Sequence, residues 1–240
     1  MPFYKTRKFI SALIALILIA SFLLYQWRIK FWIESYLVTR ANQQTLQEVL
    51  EEVPEVIENV LPEKVYLEVP YTSQAPFANW DYLHENACEE AALIQVHYYL
   101  QGKELTPELA EQEIQDMVAW EIDFFGDHHD IYAEEMRAMA VAYYNYEQEK
   151  VRVIYDASIE DLKKELAAGN PIIAPITGHL LKNPYYHHPG YHMLTIIGYT
   201  SERFITNDVG TRNGKDFSYE YDRFMTALTD ASGDVVVIES

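Results

Sequence analysis

The chain has 240 residues, 49% of them hydrophobic and 14% aromatic, which excludes a disordered polypeptide and suffices for one domain with extra segments. Its formal charge of −19 at pH 7 argues against a nucleic-acid partner. A single cysteine, Cys88, excludes an intramolecular disulfide and leaves one thiol whose purpose must be found.

Residues 1–30 differ from the rest. Phe9 to Tyr25 is a run of seventeen residues without a charge, near the lower limit for a helix that crosses the hydrocarbon core. Trp27 and Trp32 can extend or anchor it at the interface. Lys5, Arg7 and Lys8 precede the run and Arg28 and Lys30 follow it, a bias toward an inside N-terminus and an outside remainder. A cleaved signal peptide would have a shorter apolar region, about 7–15 residues, and a small-x-small site, which "SFLLYQW" lacks. The expectation is an uncleaved, single-pass membrane anchor with the rest of the chain on the extracytoplasmic side. Residues 31–240 hold all 37 acidic residues, so that part should also be repelled by anionic headgroups.

Residues 31–64 read as a helical stalk. Leu46, Val49, Leu50 and Val53 have helical spacing until Pro54 and Pro62 interrupt it. A domain is expected over 65–240. "VYLEVPY" alternates like a strand, and "SQAPFANWDYLHEN" reads as a loop. A helix should run from about Asn86, as N-cap, to Leu100. Thr106 and Pro107 open the next helix and "DIYAEEMRAMAVAYYNY" supplies another. "VRVIY" is a strand, "SIEDLKKELAAGN" a capped helix closed by Gly169, and "PIIAPI" a short buried strand. The chain then turns to β with "YHMLTIIGYT", "RFITND", "FSYEY" and "DVVVIE". The short "TSE" turn predicts a hairpin with Tyr199 facing Arg203. Helices first and an antiparallel sheet later give an α+β domain.

Cys88 falls at about the second position of its helix, where free N–H groups and the macrodipole favour a thiolate. A thiol nucleophile also needs an imidazole, a group to orient it, and oxyanion donors. His192 and Asp208 fit: the predicted hairpin register puts Asp208 opposite Leu194, two residues from His192 and on the same face. Gln74, fourteen residues before Cys88, could supply a side-chain amide beside the Cys88 N–H. Taken singly, each has a plainer reading: buried cysteine, sheet histidine, turn aspartate, loop amide.

The histidine-rich "GDHHD" (Asp127–Asp130) and "YYHHPGYH" (His187, His188, His192) contain metal-ligand types but match no zinc spacing. They are expected to be solvated loop or cleft rim, with neither metal nor cofactor. The tyrosine pairs, Tyr185-Tyr186 among them, read as core and rim, and Trp80 as a candidate cleft wall.

The segments "VPYTSQAPFANW", "ENACEEAALIQVHYYL", "GYHMLTIIGYT" and "FITNDVGTRNG" together resemble the C39-like cysteine peptidases over Val65 to Ser240. The resemblance implies a papain-like fold and peptide-bond hydrolysis. It gives Cys88 the attack, His192 the role of base, Asp208 that of orienter and Gln74 a place in the oxyanion hole, with a peptide or protein as substrate. The alternative is an inactive C39-like domain that binds peptide or cell wall at the surface. The chain departs from the family's common Cys-Gly-Pro, carrying Glu89 and Glu90 after the cysteine, and Val209 instead of proline after Asp208. Those acids suit a helix N-terminus but oppose a thiolate. No P-loop is present, so it does not resemble the transporter-fused members.

Overall fold

The computed structural model describes residues 3–50, 61–186 and 190–239, with side chains from residue 23 on except at 46 and 48–50. The chain divides into two compact units, Met1–Arg40 and Ala41–Ser240. The backbone is one α-helix, α1, over Phe3–Leu50. Most of the Phe9–Tyr25 run and of the Leu46–Val53 stripe lies outside the described side chains. Among the described residues no helix is long and apolar enough to cross a membrane.

The second unit is α+β. Its strands are β1 (Val65–Tyr66), β2 (Val151–Ile154), β3 (Ile172–Thr177), β4 (Tyr191–Tyr199), β5 (Arg203–Asn207), β6 (Phe217–Glu220) and β7 (Val235–Ile238). All pairings are antiparallel, in the order β2-β7-β3-β4-β5-β6, with β1 beside β4. The C-terminal strand thus inserts between β2 and β3, and every one of its residues is buried. Strand β4 lies in the middle and is buried from His192 to Tyr199, which explains why it lacks polar alternation.

The helices are α2 (Tyr82–Glu85), α3 (Cys88–Leu100), α4 (Pro107–Phe125), α5 (Ala133–Tyr144), α6 (Ile159–Ala167), α7 (Gly178–Leu181) and α8 (Tyr221–Ala231). Thr106 caps α4 by accepting from the Leu109 N–H at 3.3 Å, with Pro107 at the first turn as expected. Ser158 and Asp161 form the capping box of α6, and Gly169 beyond its end takes φ +90°.

Three expectations need correction. The 73–86 stretch is not all loop, because Asp81 caps the short α2 by accepting from the His84 N–H at 3.1 Å. Asn86 closes α2 instead of opening α3, so Cys88 is the first helical residue. Helix α8 was unforeseen, although Phe224, Ala227 and Leu228, its buried residues, carry the 3.6-residue spacing.

The hairpin register also differs. Tyr199 pairs with Phe204, not Arg203. A bulge between Ile196 and Gly198 then inserts one residue into β4 and gives the slip back, so Thr195 pairs with Asn207. Asp208 therefore arrives level with Leu194 as expected, by a different route.

Helix α3 packs on β3 and β4. All nine residues from Cys88 to Val96 are buried. A helix enclosed on every side leaves no solvated face for the two glutamates at its start.

Candidate functional site

Cys88 opens α3 with the free backbone N–H groups of a helix N-terminus around it. Its side chain is 4% exposed and donates a hydrogen bond to Glu89 Oε2 at 2.9 Å. The backbone N–H of Met193, next to His192, also faces the sulfur. Met193 and Val209, the residues that follow His192 and Asp208, belong to the same buried cluster as Cys88. Packing therefore brings the start of α3 to the ends of β4 and β5. Burial pushes the Cys88 thiol well above its ordinary range, and the Glu89 carboxyl pushes it further, with the Met193 N–H opposing.

His192 is the second residue of β4 and Asp208 follows β5. His192 Nε2 lies 2.9 Å from Asp208 Oδ1. Asp208 is fully buried. It accepts further hydrogen bonds from Asn183 Nδ2 at 3.2 Å, from the hydroxyl of Tyr186 at 2.6 Å, from the hydroxyl of Tyr219, and from the Gly210 N–H at 3.2 Å. Burial alone would raise this carboxyl, but the donors, His192 first, outweigh it and hold the group below its usual value. A carboxylate on Nε2 selects the Nε2–H tautomer and leaves the Nδ1 lone pair for a second partner. Gly210 backs onto the ring: a Cβ there would meet His192 Cε1 at 2.7 Å and Nε2 at 3.0 Å.

Gln74 is buried, and its backbone N–H donates to the Val209 carbonyl at 2.9 Å. Its loop is tied a second time, through the Tyr71 hydroxyl on the Thr211 carbonyl. The side-chain amide does not point into an open hole. Nε2 donates to the carbonyls of His84 at 2.8 Å and Glu85 at 3.2 Å, in α2 just before Cys88, while the buried Oε1 has no partner. Trp80, the expected wall residue, is 42% exposed, and Phe77 and Tyr82 of the same stretch are exposed as well.

Sequence reasoning missed Asn183, Tyr186 and Tyr219 as partners of Asp208. They come from two segments, the loop between α7 and β4 and strand β6, and only the tertiary fold joins these to Asp208. It also misjudged "GDHHD". Asp127, His129 and Asp130 are exposed, but His128 is buried. His128 Nε2 lies 3.3 Å from Glu90 Oε1 and 3.9 Å from Glu121 Oε2. Glu90 and Glu121 are buried as well. The neighbouring Glu89 is satisfied differently, with Oε1 accepting from the Ile131 N–H at 3.1 Å. Burial, together with Glu90, pushes Glu121 up to about 10. His187 and His188 lie outside the described residues.

A helix that starts at a buried thiol, laid on an antiparallel sheet that carries a histidine–aspartate pair, defines the architecture of this α+β domain. Residues 66–231 match the Peptidase C39 like family, and the chain belongs to that family. Among solved structures it is similar to one from Bacillus anthracis described as a candidate C39-like peptidase, with 18% identity and a TM-score of 0.54. That match covers 75% of this chain and 98% of the other, and it shows a shared fold. It is also similar to procathepsin L 3 of the Tenebrio molitor larval midgut at 9% identity and a TM-score of 0.48, covering 78% of this chain and 74% of that one. No curated protein matches the chain.

Proposed function

We propose that the protein is a membrane-tethered cysteine peptidase. Cys88 attacks the scissile carbonyl, His192 Nδ1 takes the thiol proton, and Asp208 holds the imidazole through Nε2. The Cys88 N–H supplies one oxyanion donor, and the Gln74 amide supplies a second once it is released from the His84 and Glu85 carbonyls. The intermediate collapses with cleavage of the C–N bond as His192 gives the proton to the leaving amine, and water activated by His192 then hydrolyses the acyl-enzyme. The observation that carries this reading is the hydrogen bond between His192 Nε2 and Asp208 Oδ1, which leaves the other ring nitrogen unused by the carboxylate, beside a helix start packed at Met193. The expected substrate is a peptide or protein. The uncharged Phe9–Tyr25 run supports a single-pass anchor, and the charge bias supports an outside domain.

The test is labelling of the full chain with a thiol-reactive peptide warhead, together with turnover of peptide substrates. Cys88→Ala should abolish both, and survival of either would put the chemistry elsewhere. Protease treatment of intact cells should remove the domain; full protection would reverse the topology.

One observation favours a second reading, a non-catalytic surface module that binds peptide or cell wall. The thiol's hydrogen bond goes to Glu89 and burial keeps it protonated. Peptide binding that survives Cys88→Ala, without any wild-type turnover, would select it.

A further inference from the structure

Glu90 on α3, Glu121 on α4 and His128 in the loop before α5 converge from three segments. One donor atom from each lies within 4.8 Å of the other two. Glu90 and Glu121 are at most 1% exposed and His128 is 7% exposed. Glu90 Oε1 and Oε2, Glu121 Oε1 and His128 Nε2 all lack a hydrogen-bond partner. The 3.3 Å approach of His128 Nε2 to Glu90 Oε1 is not aligned for one. Native proteins rarely leave buried polar atoms unpaired, because each costs its full desolvation. Four such atoms in one buried cluster, three of them carboxyl oxygens of two glutamates, mark a place built for a cation.

We propose that Glu90, Glu121 and His128 form a divalent-metal site, with zinc as the preferred ion. An imidazole nitrogen with two carboxylate oxygens is a borderline donor set that suits zinc better than calcium or magnesium, which favour all-oxygen sites. Zinc–ligand bonds of about 2.0–2.2 Å place tetrahedral donors about 3.3–3.6 Å apart, so the three side chains need only contract slightly. A fourth ligand remains to be supplied by water. The ion would clamp the start of α3, the C-terminal half of α4 and the loop that leads into α5. It would sit two residues from Cys88 without touching the thiol, whose hydrogen bond goes to Glu89. Its role is structural, fixing the helix start on which the proposed nucleophile depends. The site's existence does not depend on the peptidase reading.

The test uses the untagged full chain in detergent, stripped with chelator and titrated with zinc alone. One zinc per chain should bind, and the melting temperature should rise by roughly 5 °C or more at about a hundredfold excess over Kd. Glu121→Gln and His128→Gln should each weaken binding at least tenfold and remove the rise. Folding of each variant is checked by its circular dichroism and by its melting transition in the absence of metal. If a variant fails to fold, zinc-edge X-ray absorption on the wild type decides, and a shell of one imidazole with oxygen donors is the expected result. Absence of stoichiometric zinc, or zinc bound unchanged by both variants, overturns the assignment.

Discussion

His192 Nε2 meets Asp208 Oδ1 at 2.9 Å because a bulge in β4 cancels a one-residue slip in the hairpin between them. Without the extra residue Asp208 would advance one position, and its side chain would turn to the opposite face of the sheet.

Asp208→Asn tests what the carboxylate does. The amide is nearly isosteric, but it presents a donor to a ring of donors: His192, Asn183, Tyr186 and Tyr219. At pH 7 the cost should be about 3 kcal/mol of stability, read from the urea midpoint. Because the folded carboxyl is held below its usual value, its contribution is present above about pH 4 and is lost as pH falls through the folded value. The gap between wild type and variant should therefore narrow on acidification. A gap that stays constant down to pH 2 would mean the carboxyl is not depressed.

Gly210→Ala should act on the imidazole more than on the fold. The new Cβ would lie 2.7 Å from His192 Cε1, while the backbone of Gly210 needs no left-handed conformation. The ring must shift, loosening its hold on Asp208. Peptide turnover should fall about a hundredfold, as for a misplacement of the order of 1 Å, with the melting temperature little changed. Full activity would show that the ring position is not critical.

Much of this was readable before the fold. The helix at Cys88 and the β4–β5 hairpin follow from local pattern, because each depends on neighbours in sequence, whereas the register that brings His192 to Asp208 also needs the bulge between Ile196 and Gly198, which local pattern did not show. The insertion of β7 between β2 and β3 did not show, since any buried apolar strand fits several partners equally well. Glu90 and Glu121 looked like ordinary helix acids. The burial of Glu90 follows from the enclosure of α3 and that of Glu121 from the packing of α4 on α3, which only the fold reveals, although the absence of a polar stripe from Ala91 to Ile94 was a signal that the start of α3 had no wet side. Gln74 was found by its position, but its amide bonds to the His84 and Glu85 carbonyls depend on α2, which was taken for a loop.

Gly214→Ala should behave in the opposite way to Gly210→Ala. Its Cβ would sit 1.8 Å from the Asp208 carbonyl oxygen, against backbone that cannot rotate aside. That carbonyl lies in the turn closed by the Asp208 N–H on the Gly214 carbonyl at 2.9 Å. The loss should be about 3 kcal/mol or more, with turnover falling in parallel with the folded fraction. A variant of wild-type stability would show that the turn can open without cost.

Tyr186→Phe separates the hydroxyl from the ring. The ring lies edge-on to His192, with centroids 5.3 Å apart, and this contact survives the change. What goes is the 2.6 Å hydrogen bond to Asp208 Oδ2, one of the donors that favour the charged carboxylate. At pH 7 the cost should be about 1 kcal/mol. The folded Asp208 value should then rise toward that of an ordinary carboxyl. Since this stability is lost between the unfolded value of about 4 and the folded value, the variant should lose less of it on acidification, and its gap to the wild type should close as the carboxyl becomes protonated in both. Urea midpoints taken every half unit from pH 6 to pH 2 would show it. A gap that stays constant down to pH 2 would mean that the remaining donors, His192, Asn183 and Tyr219, hold the carboxylate without Tyr186.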